Sequence, residues 1–528
     1  MNNRIDKIFF SFVIIYLVIG IILSITTGIS YDESHEQNTW EINLKAIKSF
    51  FIDNNGYEEL LKYKDRYFGI AFHLLSQPIQ FLSYKFVADI NSMTDNTAYL
   101  VSRHISFFTI FTISGIFFYK LCFKISNNYY FSILSSVIYL LYPYLIGHAF
   151  MNTKDIPLLS FWLICTYFSL SVFERYLNKK NFILSNVILL SFLTAFLVSI
   201  RSVGLIIFIQ YLISILVLIN IKKLNFFDFV KKNLNPLLIF FTSFFLFIYI
   251  LNPIFWKNPY EFINSIMWFV KYAETATCTL TLGDCMKSLN LNYKYYFIWL
   301  FFKLPAFIII GALVFPLVEN KLFLNDKTKL YYSSILISFI LIILIFILKK
   351  VAIYDEIRHI MFVIPLLFII SLFNLFKFNE KIFYTVSFVL ISIFLIENIK
   401  LNPYQYTWLN HFARLTNIQK NFELDYWGIS SKNLQKEIIK ISDKENLDKS
   451  ICTFGPIYNG AYMKKSGFNC FKIYSSIDDP NPRPFFAIQN SRNLKRSNPK
   501  DCELKYVEKY KYPFFNQELI MGKVWFCN

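Results

Sequence analysis

The sequence lacks the motifs of several common protein classes. None of its eight cysteines forms a Cys-x-x-Cys pair, so neither a zinc site nor a dithiol redox site is indicated. It has no P-loop and no Rossmann glycine pattern, which argues against a nucleotide-dependent reaction. Internal repeats and low-complexity segments are missing as well. The first apolar run has no small-x-small cleavage site and is longer than a signal-peptide core, so we expect a transmembrane span.

Long apolar runs, in contrast, are abundant. The 528 residues are 55% hydrophobic and 20% aromatic, with a mean hydropathy of +0.43, which is too apolar for a soluble protein of this size. We predict a polytopic α-helical membrane protein with about eleven transmembrane helices. They lie near 8–28, 100–121, 130–147, 156–173, 182–200, 203–220, 236–252, 294–316, 331–348, 358–376 and 382–398.

The net charge of +18 does not indicate a nucleic-acid partner. Most basic residues lie in short loops between apolar runs, which is the positive-inside pattern, or are spread over the C-terminal part. Arg4 and Lys7 precede the first span and place the N-terminus in the cytoplasm. The loop after this span then faces outward.

The first outer loop, about 29–98, is predicted to carry interfacial helices. From Trp40 onward, Leu44, Ile47 and Phe51 recur at helical spacing and indicate an amphipathic helix on the membrane surface. The segment 66–86 is apolar but contains several polar residues, so we interpret it as interfacial or half-buried. A true span there would place Asp32 and Asp155 on opposite sides of the membrane.

A small extracytoplasmic α/β domain is predicted for 401–528, after a transmembrane domain covering 1–400. Ser430 or Ser431 begins a helix that continues to about Ile441. Short apolar pieces suggest strands at Ile451–Phe454, Phe468–Tyr474, Leu504–Tyr512 and Lys523–Cys527. Six cysteines fall in segments that we place outside the cytoplasm, where disulfides form, with Cys278 and Cys285 as the most plausible local pair.

An acidic segment, Ser30–Trp40, follows the first span directly and is the most distinctive stretch of the sequence. It places Asp32, Glu33, His35 and Glu36 close to the membrane surface. A carboxylate near a low-dielectric slab loses hydration, so its ionisation is costly unless a partner compensates. Two interpretations stay open: a solvated acidic loop that caps a helix, or part of a functional site.

A second acidic site lies in the short outer turn Gly147–Pro157 between two spans. Asp155 begins a helix there, where free backbone N–H groups and the helix dipole stabilise a carboxylate, so it can be an ordinary cap. His148 and Lys154 are crowded into the same turn, on the membrane face that also carries Asp32. This crowding favours a shared site.

Basic groups also cluster at the predicted outer ends of spans. These are Arg103-His104, Arg201, Lys349-Lys350 and Arg358-His359. Ionisable groups near the bilayer are functional candidates by default, although snorkelling towards lipid headgroups is an alternative explanation. Together they supply the cations and hydrogen-bond donors that an anionic lipid head requires.

A pair of carboxylates under a rim of cations suits transfer from a phosphate-activated lipid. One carboxylate takes the proton of an acceptor hydroxyl, which is worth roughly 10²–10⁴-fold in rate. The cations stabilise the departing phosphate. Because nucleotides are not available outside the cytoplasm, a lipid-linked donor also accounts for the missing nucleotide motifs.

Several short motifs resemble those of the GT-C glycosyltransferases. Tyr31-Asp32-Glu33, directly after the first span, resembles their first-loop acidic motif. Asn152-Thr153-Lys154-Asp155-Ile156-Pro157 resembles the N-P-K-D-x-P turn of a bacterial branch, with Thr153 in place of the usual Pro. Arg358-His359, Asn402-Pro403-Tyr404-Gln405-Tyr406 and Asp425-Tyr426-Trp427-Gly428 also fit. The resemblance covers nearly the whole chain and is closest to the family 39-like enzymes, related to protein O-mannosyltransferases and aminoarabinose transferases.

This resemblance implies a GT-C-like fold, a polyprenyl-phosphate sugar donor, inverting transfer and an active site on the extracytoplasmic side of the plasma (inner) membrane. Carried over, Asp32 would be the general base or the acid that orients the acceptor, with Glu33 as its neighbour, and Asp155 the second acid. The candidate contacts to the lipid phosphate or sugar are Lys154, Arg66, His148, Arg201, Arg358 and His359. Some branches use a divalent cation, so the cofactor stays open. A β-trefoil domain is not apparent, and a protein acceptor is therefore not implied.

We accordingly expect a hexosyl- or pentosyltransferase of the cell envelope, with a polyprenyl-phosphate sugar, membrane lipid and an extracytoplasmic glycan, lipid or protein acceptor as partners. The main alternative is a lipid-linked saccharide flippase or another transporter. A transporter needs polar residues along the middle of several spans, whereas 331–348 and 382–398 are nearly uniform in Ile, Leu, Phe and Ser. A non-enzymatic scaffold has no reason to concentrate acids opposite cations.

Overall fold

The computed structural model describes residues 3–53, 55–271, 277–323, 325–455, 460–473, 483–493, 499 and 501–528, and most of them are helical. The helices, in chain order, are α1 (Asn3–Thr26), α2 (Glu33–Ser49), α3 (Asn55–Lys62), α4 (Ala71–Asn91), α5 (Asp95–Ser102), α6 (His104–Ser126), α7 (Tyr129–Leu141), α8 (Pro143–Ala149), α9 (Asp155–Leu177), α10 (Leu184–Ile200), α11 (Ile207–Lys222), α12 (Phe226–Lys232), α13 (Leu234–Leu251), α14 (Glu261–Lys271), α15 (Lys294–Lys303), α16 (Ala306–Leu313), α17 (Phe315–Leu322), α18 (Asp326–Leu348), α19 (Ile364–Phe378), α20 (Glu380–Leu401), α21 (His411–Arg414), α22 (Ile418–Asn421) and α23 (Ser431–Glu445).

Within these described ranges, eight helical segments are long and apolar enough to cross a membrane, or up to ten if each of two bent pairs forms one span. The bent pairs are α7 with α8, at 60°, and α15 with α16, at 116°. Helix α10 is apolar but only 17 residues long. Each of the eleven predicted spans corresponds to one of these segments, pairs or α10. The predicted polytopic helical architecture is confirmed, and the chain is a multi-pass membrane protein.

The centre of the bundle is the span Arg358–Phe378, which consists of the 3₁₀ turn Arg358–Val363 and α19. Its most apolar window is 94% buried, whereas the corresponding windows of α1 and α20 are 28% and 22% buried. Helices α6, α9 and α18 pack against α19. Arg358 therefore stands at one end of the most buried helix of the protein.

The first loop folds into α2 to α5, and α4 is not among the segments that qualify as spans. This agrees with the expectation of interfacial helices in this loop. The details of α2 differ from the sequence prediction. The helix begins at Glu33 rather than near Trp40 and ends at Ser49, so Phe51, expected on its membrane-facing apolar side, follows the helix and is 84% exposed.

The buried face of α2 is largely polar, because it turns towards charged side chains of the spans rather than towards lipid. Its buried residues are Glu33, Glu36, Thr39, Trp40, Ile42, Asn43 and Ala46. Two acids in the first turn are favourable at the positive end of the helix dipole, which explains the earlier start.

The C-terminal part contains five strands in one sheet. They are β3 (Cys452–Gly455), β4 (Phe471–Ile473), β5 (Phe485–Asn490), β6 (Cys502–Lys511) and β7 (Glu518–Cys527), preceded in the chain by a separate hairpin of β1 (Cys278–Thr281) and β2 (Asp284–Lys287). The order is β4-β3-β5-β7-β6, with β3 parallel to both of its neighbours and the other pairs antiparallel. Helix α23 covers the sheet through Leu434 and Ile438, which pack with Phe486 and Val524.

The predicted helix and four strand positions of this small α/β domain are thus present, although Tyr474 lies outside the described residues. Disulfides join Cys278 with Cys285, as predicted, and also Cys452 with Cys470 and Cys502 with Cys527.

The segment between the last span and the sheet packs on both. Arg414 contacts Glu397 of α20 in a fully buried ion pair, and its guanidinium carbon lies 4.2 Å from the ring centre of Tyr512. The hydroxyl of Tyr512 donates a hydrogen bond to the carbonyl of Thr407 at 2.9 Å. The division into domains at residue 401 consequently stays a prediction, while the sheet is docked firmly on one end of the helical bundle.

Candidate active site

Asp32 is an accessible carboxylate held by a buried cation. It is the N-cap residue of α2, and 37% of its side chain is exposed. Its Oδ2 accepts a hydrogen bond from Nη1 of Arg358 at 3.0 Å. The Arg358 guanidinium stacks between Trp427 and Tyr354, with its carbon 4.6 and 4.9 Å from their ring centres. Desolvation by the surrounding protein raises the pKa of Asp32, and Arg358 opposes this rise only in part.

Asp155 is placed differently, since it is buried at the first residue of α9. Its Oδ1 pairs with Arg201, and its Oδ2 accepts a hydrogen bond from the amide of Asn152 at 3.0 Å. The side-chain oxygen of Asn152 in turn accepts the backbone N–H of Asp155 at 2.8 Å. Because 27% of the Arg201 side chain is exposed, Asp155 presents this cation to the surface of the site.

Glu36 connects the first loop to the turn that carries Asp155. It lies one helical turn after Asp32, and its Oε1 forms an ion pair with Lys154 Nζ at 2.8 Å. The other carboxylate oxygen lies 3.5 Å from His73 Nε2. Burial raises the pKa of Glu36, but Lys154 and His73 outweigh it and bring the pKa to about 2. Glu36 is therefore ionised and fixes Lys154, whose Nζ also lies 4.1 Å from the ring centre of Phe68.

The two acidic segments meet at the same end of the bundle. The Ser30 hydroxyl donates to the carbonyl of Met151 at 3.3 Å, and the ion pair of Glu36 with Lys154 joins the same two segments. Tyr354 lies near residues of both segments: burial raises the pKa of its hydroxyl, Arg358 and Arg201 lower it, and Asp32 raises it further. Asp32, Lys154, Asp155, Arg201 and Arg358 thus belong to one charged cluster, and their role as a functional site stays a prediction.

Three of the other predicted site residues are set apart from the accessible cluster. Glu33 is buried, accepts the backbone N–H of Ser30 at 2.6 Å and lies 3.0 Å from His104 Nε2, so it anchors the start of α2. His359 is half-buried with its ring 4.6 Å from that of Tyr354. His148, the third, is fully buried and is described below.

Arg66 lies at the edge of the cluster, in the turn between α3 and α4. Its guanidinium carbon is 4.8 Å from the ring centre of Tyr67. Within the part of the chain that the structure describes, Arg66 has no carboxylate within ion-pair distance. It is half-buried and lies two residues before Phe68, which supports Lys154. Arg66 is therefore a cation available to a ligand.

Beneath the cluster a buried chain of hydrogen bonds starts from Asn152. The Asn152 amide donates to Nδ1 of His148 at 3.0 Å, and this fixes the His148 proton on Nε2. That nitrogen lies 3.2 Å from the Tyr426 hydroxyl, which donates to Glu356 at 3.5 Å. Glu356 pairs with Lys303 at 2.7 Å, and both side chains are fully buried. Burial raises the pKa of Glu356 to about 8, against the opposing charge of Lys303.

The turn before Arg358 contains a site residue that we did not predict. Asp355 and Glu356 both adopt left-handed backbone conformations, with φ of 53° and 68°. Non-glycine residues keep such conformations only where the surroundings impose them. The Asp355 carboxylate contacts Arg358 at 3.4 Å and also pairs with Arg492 from the C-terminal sheet domain. Its backbone N–H donates to the hydroxyl of Thr279 in the β1–β2 hairpin at 2.9 Å.

The acids of this cluster do not suit a divalent cation. Among the described residues no group of three or more His, Cys, Asp or Glu side chains could hold a metal ion. Each acid already has a cation beside it: Asp32 has Arg358, Glu36 has Lys154, and Asp155 has Arg201. A divalent metal needs several free oxygen ligands. The residues present therefore do not fit such a cofactor.

Comparisons with known proteins give structural neighbours only. No protein-family model and no curated protein matches the sequence. The chain is similar to the crystal structure of ArnT from Cupriavidus metallidurans in the apo state, with 9% identity, a TM-score of 0.44, and coverage of 86% of this chain and 87% of that one. It is also similar to ArnT of the same organism bound to undecaprenyl phosphate, with 9% identity, a TM-score of 0.45, and coverage of 99% and 98%. At this degree of similarity the chemistry of the chain rests on its own residues.

Proposed function

We propose that this protein is an integral membrane glycosyltransferase that moves a sugar from a polyprenyl-phosphate donor to an extracytoplasmic acceptor. The observation that carries the proposal is the accessible carboxylate of Asp32, hydrogen-bonded to buried Arg358 in a cluster that also contains Lys154 and Arg201, at one end of a bundle of spans. A scaffold or a channel has no need for this arrangement. A transferase that uses an anionic lipid donor requires both a base and cations for the phosphate.

In the proposed reaction Asp32 acts as the general base. The acceptor hydroxyl oxygen attacks the anomeric carbon of the donor sugar, and its proton passes to the Asp32 carboxylate. The bond between the anomeric carbon and the phosphate oxygen breaks, and its electron pair stays on the phosphate. The products are a glycoside of inverted configuration and polyprenyl phosphate. A raised pKa suits this role, because a base works best when its pKa lies near the working pH.

The leaving phosphate is assigned to the exposed cations of the cluster. Arg201 and Arg66 present partly exposed side chains, and Lys154 adds an ammonium group beside Phe68. One guanidinium group can donate two parallel hydrogen bonds to two phosphate oxygens, and the lysine ammonium group adds a compact positive charge. Asp155 is then a positioning residue that holds Arg201, rather than the second acid in contact with substrate.

An apolar cavity between α13 and α14 offers space for the polyprenyl chain. It has a volume of about 400 Å³, and it is lined by Phe245, Ile248, Tyr249, Phe255, Pro259, Tyr260, Phe262 and Ile263. These residues belong to α13, to α14 and to the segment between them. Helix α14 is linked to Arg66 through Tyr67, whose hydroxyl donates to Glu261, the first residue of α14, and whose ring centre lies 4.8 Å from the Arg66 guanidinium carbon. If the donor phosphate binds Arg66, its polyprenyl chain can extend towards this cavity.

Filling this cavity should weaken donors with long chains only. We expect Ile263→Trp, at a position that is 57% exposed on the cavity wall, to raise the KM for a long-chain polyprenyl-phosphate sugar about tenfold, because the bulky ring removes apolar contact area from the chain. A donor with a chain of two isoprene units should be used as before. The control is Leu238→Trp, which is 53% exposed on α13, the span that contributes to the cavity wall, but does not itself line the cavity. Equal losses with both donors would show that the cavity does not hold the chain.

The disulfides support an extracytoplasmic orientation for the site. All three lie in the β1–β2 hairpin or in the C-terminal sheet domain, and both of these contact the turn at Asp355 beside the charged cluster. Disulfides persist in oxidising compartments and are rare in the cytosol. We therefore infer that the cluster faces the outside of the plasma (inner) membrane.

The proposal is tested by incubating the purified protein with a panel of polyprenyl-phosphate sugars and candidate acceptors. Mass spectrometry should detect free polyprenyl phosphate that forms with at least one donor, and its formation should require the protein. Candidate acceptors include glycans, lipids and proteins. The proposal fails if no donor of the panel is cleaved although lipid binding is detected.

A further inference from the structure

The C-terminal sheet domain reaches the charged cluster through one arginine. Arg492 lies in the short turn Ser491–Asn493 directly after β5. Its Nη2 pairs with Asp355, and its Nε lies 3.4 Å from Glu423. About a third of its side chain is exposed, at 34%. Among the described residues, Arg492 joins the sheet domain to the turn before the central span through this ion pair.

The contacts of Arg492 form part of a row of alternating charges that ends at the proposed base. Asp32 pairs with Arg358, Arg358 with Asp355, Asp355 with Arg492, and Arg492 with Glu423. In this row Asp355 is shared by two guanidinium groups, one on the central span and one on the sheet domain. The strength of the bond between Arg358 and Asp32 therefore depends on how strongly Asp355 attracts Arg358.

The surroundings hold Asp355 rigidly in this shared position. Its left-handed backbone is fixed by the bond from its N–H to Thr279 of the hairpin. The same hairpin binds Glu423, whose backbone N–H donates to the Leu280 carbonyl at 2.9 Å and whose carboxylate accepts the Leu280 N–H at 3.1 Å. Strained backbone that is braced from several sides is typical of functional sites.

We propose that Arg492 and Asp355 are positioning residues for the transfer: by sharing Asp355 with Arg358, the C-terminal domain sets the hydrogen bond that Arg358 gives to Asp32. This inference rests on the proposed function only for the role of Asp32 as base. The groups that act on Asp32 are Arg358, Asp355 and Tyr354 from the turn before the central span, Glu36 and Tyr31 from its own segment, and, one contact further, Arg492.

Two variants should move the protonation of Asp32 in opposite directions. Asp355→Asn removes the competitor for Arg358, so Arg358 binds Asp32 more tightly and the pKa of Asp32 falls. Arg492→Ala removes the second partner of Asp355, so Asp355 attracts Arg358 more strongly, the bond from Arg358 to Asp32 weakens, and the pKa of Asp32 rises. We expect shifts of about one unit in each case. Arg492→Lys keeps the charge and should lie between wild type and Arg492→Ala.

The measurement is the pH dependence of carbodiimide labelling, because carbodiimides react with protonated carboxyl groups. Full-length protein in lipid vesicles is labelled at several pH values, and the modified fraction of the Asp32 peptide is quantified by mass spectrometry. The midpoint should fall for Asp355→Asn and rise for Arg492→Ala. Thermal unfolding of each variant is recorded in parallel. If both variants unfold more easily while their labelling midpoints stay at the wild-type value, the inference is overturned. Asp355 and Arg492 would then only stabilise the contact between the sheet domain and the helical bundle.

Activity gives a second, separable readout. The acidic limb of the pH profile for polyprenyl phosphate release should shift with the labelling midpoint, to lower pH in Asp355→Asn and to higher pH in Arg492→Ala. Midpoints that shift in the expected directions without a matching shift of the rate profile would support the coupling of Arg492 to Asp32 and refute the role of Asp32 as base. Midpoints and rates that both stay unchanged would refute the coupling alone.

Discussion

Replacing Asp32 with asparagine is expected to lower the release of polyprenyl phosphate by roughly 10²–10⁴-fold, the usual contribution of a general base. The amide is nearly isosteric and keeps an oxygen that can accept the hydrogen bond from Arg358, so the fold and the cation cluster should persist. Donor binding, measured by isothermal titration with a polyprenyl phosphate, should stay within a factor of two or so of the wild type, because the phosphate is assigned to other residues.

The pH profile refines this prediction. Asp32 must be ionised to accept a proton, so the wild-type rate should rise with pH through the pKa of Asp32, which burial raises above the ordinary aspartate value. This limb should disappear in Asp32→Asn. The control is Asp53→Asn, since Asp53 is an exposed acid of the same loop whose carboxylate accepts hydrogen bonds from the backbone and side chain of neighbouring Asn55. Turnover of Asp32→Asn at the rate of the Asp53→Asn control would remove Asp32 from the reaction.

Replacing Arg358 with alanine is expected to cost about 10²-fold in kcat/KM, because Asp32 loses the hydrogen bond that holds its carboxylate in position for the acceptor proton. The guanidinium contacts both Asp32 and Asp355 and stacks on Trp427. Arg358→Lys should recover little of this loss, since an ammonium group cannot bridge two carboxylates with fixed geometry or stack as a plane. The measurement is the initial rate of transfer at several donor concentrations, for both variants.

Lys349→Ala is the matched control for Arg358. Lys349 ends α18 a few residues earlier and is exposed, so its charge is in water and headgroups rather than in the cluster. The Lys349→Ala variant should transfer the sugar at the wild-type rate. A loss of similar size in Lys349→Ala would indicate that basic residues at this end attract the anionic donor in general, without a specific role for Arg358.

Much of the architecture follows from local patterns in the sequence. Apolar runs of sufficient length have few alternatives to a membrane-spanning helix, so each predicted span has a counterpart. The pairing of Cys278 with Cys285 follows from their short separation and their place in an outer loop. The meeting of Asp32, Lys154 and Asp155 was also predictable, because topology places both segments on the same side of the membrane.

The parts that sequence could not supply depend on contacts between distant segments. Helix α2 was expected to lie on the membrane surface with one apolar face, but it also buries Glu36 within the protein, because Lys154, about 120 residues further along the chain, neutralises this carboxylate. The spacing of Asp32 and Glu36, four residues apart, is a signal for a shared helix face. Asp355 also had a signal, since the tripeptide Tyr354-Asp355-Glu356 repeats Tyr31-Asp32-Glu33.

Strand β5 and Arg492 show the limit more clearly. Phe485–Asn490 is a short apolar run, buried along its full length between β3 and β7, and such a run has no alternating pattern that identifies a strand. Nothing near Arg492 in the sequence indicates an active-site residue. Its place depends on the docking of the sheet on the helical bundle, which is a tertiary property.

The most direct test of the account follows a donor with its sugar and its lipid separately radiolabelled, in vesicles that contain the purified protein and an acceptor. We predict that each molecule of glycosylated acceptor appears with one molecule of free polyprenyl phosphate, that the new glycosidic bond has the inverted anomeric configuration by NMR, and that Asp32→Asn forms neither product. Movement of both labels across the membrane with the bond between sugar and phosphate intact would contradict the account and identify a flippase.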